Sequence, residues 1–240
     1  MTRAVRGQRL LDQLRLVVGV GARLLIVSQP EESGSLLLRV LAGLSHASSG
    51  SVLLAGVARA DSSPAGWARR VAYVGPQAGI YPWMSPREVL ELAARLAGFD
   101  ADQRRRRIEQ AADRYRIGLQ LDEPIRREGP SLAQRTALAA AMLTDPEVLL
   151  LDDPLRAVEP TERTRLLAIP GARRTVLIAS PFPASEAGIV NQVALLRDGR
   201  LVVHAPVREL DARGLTLSQR GIESLADALV AGNQPTAASG

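Results

Sequence analysis

Apolar residues along this chain fall into two rhythms. Short unbroken runs such as Leu24-Leu25-Ile26-Val27, Val148-Leu-Leu-Leu-Asp152 and residues 175–179 show no polar alternation. Runs of that length predict strands buried on both faces, as in a parallel sheet. Further strands are expected at 51–56, closed by a turn, at 70–74 and at 193–197. Arg197-Asp-Gly-Arg200 reads as a hairpin turn with a return strand at 201–204. Between these lie stretches with helical spacing: 36–42, 86–96, about 102–117 (with Ile108, Ala111, Ala112 and Tyr115 in phase), 131–142 with Ser131 as its N-cap, and an amphipathic stretch at 216–230. Strands alternating with helices predict an α/β fold. Residues 232–240 are polar with Pro, Ala and Ser, and are expected to be disordered.

At 240 residues with 46% hydrophobic content, the chain has material for a large core. Cysteine is absent, which excludes a disulfide framework and thiolate chemistry. No apolar run approaches the roughly 20 residues of a membrane span, and the N-terminal residues lack a signal-peptide core. A cytosolic chain is expected. The net charge is +5, and all 30 basic residues are arginine, since the chain has no lysine. That charge permits an anionic partner. Arginine-only usage beside abundant alanine is also what a GC-rich genome produces, and the run Arg104–Arg107 reads as a solvated helix face.

The stretch between the first buried strand and the first helix has the frame of a phosphate cradle, strand–loop–helix. The working pattern is Gly-x-x-x-x-Gly-Lys-Ser/Thr. Here Ser28 and Ser33 stand at the glycine positions, Gly34 stands at the lysine position, and only Ser35 fits. Glu31 and Glu32 place two carboxylates inside the loop.

A series of segments makes the frame specific: residues 37–44, Ser49-Gly-Ser-Val-Leu-Leu-Ala-Gly56, Val71-Ala-Tyr-Val-Gly-Pro-Gln77 with Tyr81-Pro-Trp83, Asp145-Pro-Glu-Val-Leu-Leu-Leu-Asp-Asp-Pro154, and Val193-Ala-Leu-Leu-Arg-Asp-Gly-Arg-Leu201. In this order they resemble the ATP-binding cassette (ABC) ATPase domain over about residues 8–210. The resemblance implies a P-loop NTPase (RecA-like) core sheet, a small β-subdomain and a helical subdomain inserted at about 78–131, all within one unit spanning 1–231. It also implies ATP and Mg²⁺ as cofactors, held between two cassettes paired head to tail, and with this loop their binding is expected to be weak or absent. Residues 77–87 would face a membrane-spanning partner.

On that resemblance the cofactor-binding residues would be Ser33, Gly34, Ser35, Gln77 and Asp152, with Ser35, Gln77 and Asp152 near the metal. Asp152 matches the magnesium-organising aspartate. The next residue should be a glutamate that polarises water, and Asp153 is one methylene shorter. Leu36 replaces the family's second hydroxyl. The adenine-stacking position falls near Val5, and the segment ahead of the loop contains no aromatic residue. The signature segment reads Glu128-Gly-Pro-Ser-Leu132, where Pro130 removes an N–H. Glu159 replaces an aspartate in the dimer-contact turn, and Pro170-Gly171 cuts short the helix that follows. Ser180-Pro181 stands where a phosphate-sensing histidine is usual, and His46 and His204 lie elsewhere.

Three functions fit these residues. The first is a degenerate cassette, retained for assembly or coupling in a membrane ABC-type complex. It would be peripheral at the inner face of the cell membrane, with a second ABC ATPase subunit and little or no hydrolysis of its own. The second is an active ATPase with an atypical phosphate site. The third is a soluble ABC-fold protein associated with nucleic acid, against which the lack of an aromatic–basic patch counts.

Overall fold

The computed structural model describes residues 1–5, 8–168, 171 and 173–232. The chain opens with a short antiparallel pair, β1 (Arg3–Val5) and β2 (Gln8–Leu11), and then forms β3 (Arg23–Gln29). It continues through α1 (Glu32–Ala42), a second small pair β4 (Leu53–Leu54) and β5 (Val57–Ala58), α2 (Pro64–Arg70) and β6 (Val71–Val74). Three helices follow: α3 (Pro86–Leu96), α4 (Ala101–Arg114) and α5 (Pro130–Met142). The last part runs β7 (Val148–Asp152), α6 (Pro160–Leu167), β8 (Thr175–Ala179), β9 (Gln192–Arg197), β10 (Arg200–Pro206), α7 (Arg208–Asp211) and α8 (Gln219–Gly232).

Six strands form the central sheet in the order β10-β9-β3-β8-β7-β6. Neighbours are parallel except the β9–β10 hairpin. The carboxyl ends of β3, β6, β7 and β8 therefore lie along one edge, where an open α/β sheet places its site. Side chains of successive strand residues point to opposite faces. Leu24 and Ile26 of β3 accordingly pack with Leu36, Leu37, Leu38 and Val40 of α1, while Leu25 and Val27 join the core on the other face with α3, α4 and α5. Polar residues have no place in such strands, which is why these runs are unbroken.

Local signals account for most element ends. Ser85 and Glu88 form a reciprocal capping box at α3, and Asp100 and Gln103 form one at α4. The β9–β10 turn places Asp198 and Gly199 at φ +50° and +75°, as the Asp-Gly pair predicts. Other expectations are corrected. The strand expected at 51–56 is reduced to β4, because Ala55 and Gly56 turn the chain at positive φ. β1, β2, β5 and the seven-residue α2 are too short to declare a period. The α2 start is nonetheless written in the sequence, where Ser63 caps Gly66 N–H ahead of Pro64.

Ser131 is not an N-cap. Gly129, at φ +82°, takes that place, Pro130 opens α5, and no side chain caps the helix. The helix expected to reach 117 ends at Arg114, with Arg116 at φ +52°. The arginine run is not uniformly solvated: Arg104 donates to Phe99 O (2.9 Å) and Arg107 to Leu143 O (2.7 Å), with the Arg107 guanidinium 4.4 Å from the Phe99 ring centre. α8 folds back on its own sheet and buries Ile222, Leu225 and Ala226 with Val193, Leu195 and Val203. Gly232 closes α8, and residues 233–240 of the expected tail lie outside the described residues, as does Pro170.

Leu25 lies in β3, between β8 and β9, and has no exposed surface. Leu25→Ala is expected to lower unfolding free energy by about 2–5 kcal/mol in a urea titration, because the rigid sheet cannot close the cavity.

Candidate functional site

The loop between β3 and α1 ends in a closed arrangement of its own groups. Ser28 Oγ donates to Glu31 O (2.9 Å) and accepts from Gly34 N–H (2.9 Å). Ser33 N–H and Gly34 N–H also reach Pro30 O and Glu31 O, each at 3.1 Å. In a phosphate cradle such N–H groups point at the ligand. Here part of that capacity is used by a serine hydroxyl standing where the pattern asks for glycine. Ser33 is fully buried and its Oγ has no partner among the described residues. Glu31 and Glu32 are exposed at the start of α1, where the helix dipole favours negative charge.

Gly34, at the lysine position, is enclosed. A Cβ placed there would lie 2.9 Å from Ser28 Oγ and 3.3 Å from the Ala179 methyl. A side chain at residue 34 and the Ser28 hydroxyl thus compete for one space. Arg39 does not fill the role either: it is exposed, more than a helical turn beyond Gly34. The loop is further tied to the end of the chain, since Gln29 Nε2 donates to Glu223 Oε1 of α8 (2.6 Å) and Asp198 N–H donates to Gln29 O (2.8 Å).

The acid half is better formed. Asp152 ends β7 and is only 4% exposed. Ser35 Oγ donates to its Oδ1 (2.8 Å), and Tyr73 OH donates to its Oδ2 (2.9 Å). Burial, that hydrogen bond and the carboxylate's charge push the Tyr73 phenol well up, against a smaller opposite pull from Arg39, so it stays protonated as the donor. A hydroxyl and a carboxylate are hard oxygen donors that suit Mg²⁺. Ser35 and Asp152 therefore fit a magnesium site, whereas Ser28, Gly34 and the two glutamates do not fit a polyphosphate. Gln77 is exposed on the loop after β6 and takes no part in the hydrogen bonds that fix Asp152.

Asp153 turns away from the sheet at φ +46°, held by its N–H on Ala179 O (2.8 Å). Its carboxylate pairs with Arg156. Burial pushes the Asp153 carboxyl up, and the Arg156 charge holds part of that rise back. The Arg156 guanidinium also lies 5.4 Å from the ring centre of Phe182, in the segment that lacks a histidine. A cleft of about 370 Å³ opens there, lined by Asp153, Arg156, Arg163, Ser180 and Phe182 among others. His46 and His204 are both exposed away from this edge, and His204 bonds Gln192.

Two further residues support the site: Gln134, which follows the signature-like segment and matches the family there, and Arg163, which no pattern in the sequence singles out. Gln134 accepts from Ala157 N–H (2.9 Å) and donates to Pro76 O (3.4 Å), so one side chain spans α5, the turn after β7 and the loop after β6. Arg163 pairs with the fully buried Glu186 and donates to Pro154 O and Ser185 O, which pins the turn bearing Asp153 and Arg156 to α6. In the signature-like segment Glu128 is exposed, and α5 begins at Pro130 without a side-chain cap.

Comparison with known proteins gives a consistent result. The family model for ABC transporters matches residues 20–156. An aliphatic sulfonates import ATP-binding protein, SsuB of Mycobacterium sp. (strain MCS), is 31% identical over 207 residues, covering 84% of this chain and 79% of that protein. An uncharacterized ABC transporter ATP-binding protein, all4389 of Nostoc sp. (strain PCC 7120 / SAG 25.82 / UTEX 2576), is 30% identical over 182 residues, covering 72% of this chain. The chain spans about half the length of that relative, 53%. A solved ATP-binding subunit of an ABC transporter superposes with a TM-score of 0.78 at 19% identity, over 95% of this chain and 96% of that one, which establishes the shared fold.

Two outcomes follow from the packing. Gly34→Ala sets about 1 kcal/mol of helix propensity against crowding of Ser28 Oγ and the Ala179 methyl, so it should be more favourable in a Ser28→Ala background than in the unaltered chain, a coupling read from urea midpoints. Arg163→Ala should cost about 3–5 kcal/mol by stranding the buried Glu186, whereas the paired change Arg163→Met with Glu186→Leu should recover most of that loss.

Proposed function

The chain belongs to the ABC transporter family of ATP-binding subunits, and from that premise we propose that it is a degenerate cassette whose role is assembly and coupling rather than ATP turnover. The observation that carries this reading is the Ser28 hydroxyl seated on Gly34 N–H, in the space a lysine side chain would need. The cradle is satisfied from within and lacks the positive charge that offsets phosphate. Glu31 and Glu32 add repulsion: unit charges about 4 Å apart interact by about 4 kcal/mol near a protein surface. The altered signature segment and the missing histidine point the same way. Asp153, held by Arg156, is a poor base for water.

The partners we propose are a membrane-spanning subunit and a second ABC ATPase subunit. The docking face is the loop bearing Tyr81 and Trp83, whose rings stack at 4.8 Å between centres and are each 62% exposed. No helix among the described residues is long and apolar enough to cross a membrane. A place at the cytoplasmic face of the membrane would therefore come through such a partner. The name of the relative that imports aliphatic sulfonates describes that protein, and it assigns no cargo here.

A second reading, an active ATPase with an atypical phosphate site, has one observation in its favour: Ser35 and Asp152 are placed as magnesium ligands would be. It has no lysine or arginine at the cradle. Association with nucleic acid loses support, because two arginines of the α4 run are engaged with backbone carbonyls.

Calorimetry with Mg-ATP separates the readings. The chain is expected to show no binding up to millimolar ATP, and the variant Ser28→Gly, Glu31→Gly, Ser33→Gly, Gly34→Lys is expected to gain it. Binding by the unaltered chain that weakens in Asp152→Asn would put the active ATPase ahead.

A further inference from the structure

Asp152 presents a problem that the fold must solve. Its carboxylate is 4% exposed at the end of a buried strand. A charge so placed needs hydrogen-bond donors or a cation. Ser35 supplies one donor from α1. The other comes from the opposite side, where Tyr73 of β6 donates to the remaining oxygen at 2.9 Å. Tyr73 is held for this: β6 and β7 are paired with Tyr73 opposite Leu150, and its ring packs against the core shared by α1 and the sheet.

We propose that Tyr73 is a positioning residue that stands in for a divalent cation at Asp152. Two neutral hydroxyls then fix the carboxylate, and α1, β7 and β6 are joined without metal. The bond also ties β6, and so the loop carrying Gln77, to the acid, whether or not a nucleotide is present. The inference rests on Ser35 and Asp152 being the magnesium pair; it does not require that ATP turnover be lost. A cation that used Asp152 Oδ2 would have to displace the Tyr73 hydroxyl.

The test uses the purified chain with no nucleotide. Thermal unfolding is followed in EDTA and in millimolar Mg²⁺, and Mn²⁺ binding is followed by electron paramagnetic resonance. Tyr73→Phe keeps the ring and removes only the donor. The unaltered chain should melt at the same temperature in both media. Tyr73→Phe should melt lower in EDTA, be partly restored by Mg²⁺, and bind Mn²⁺ about tenfold more tightly, the factor expected when a charge-assisted hydrogen bond stops competing. Adding Asp152→Asn to Tyr73→Phe should abolish the cation response. Equal destabilisation of Tyr73→Phe with and without cation, or an unchanged or weaker Mn²⁺ affinity, would overturn the proposal by making Tyr73 a structural bond only. Mg-ATP binding by the unaltered chain would count against the degenerate-cassette reading and leave this one standing, so the two fail separately.

Discussion

A buried carboxylate at the end of a buried strand is the constraint around which this edge of the molecule is arranged. Asp152 cannot hydrate freely, so its two oxygens must be met by groups on neighbouring elements. Ser35 on the first turn of α1 and Tyr73 on β6 meet them. Those two bonds fix the register of α1 against the sheet and set where the loop before it must close. The adjoining Asp153 leaves the strand through a left-handed conformation, held by Ala179 O, and the turn that follows is pinned by Arg163 on Glu186. The acid half of the site is thus part of the fold's internal bonding.

The phosphate half has no such anchor. With serine at position 28, its hydroxyl accepts from the N–H of residue 34 and crowds the place where a side chain at 34 would begin. Each change makes the reverse of the other harder. Serine at 28 and glycine at 34 are therefore one coupled feature.

The sheet and its order of elements were legible in the residues. The runs at 148–152 and 175–179 are strands with those bounds, the capped helix at 86–96 is α3, and Asp-Gly makes the hairpin it predicts. Legibility failed where an element was too short for a period, as with β1, β2, β5 and α2, or where two caps competed, as with Gly129 over Ser131. Position 129 wins because Pro130 cannot donate a helical hydrogen bond and so suits the first helical residue.

By itself the sequence determined which chemical groups are available: no lysine, no cysteine, an acid pair at a strand end, and a loop of serine and glutamate in a cradle frame. Those are facts of composition and order, and burial and hydrogen-bond preference turn them into strands and helices. Only the tertiary structure decided which of these groups meet. Tyr73 and Ser35 lie 79 and 117 residues before Asp152, and Gln29 reaches Glu223 across 194. No local pattern encodes such pairings, because they depend on parallel strands that are adjacent in the sheet and distant in the chain. The competition between Ser28 and a side chain at 34 is likewise a matter of ångströms, set by how β8 presents Ala179 to the start of α1.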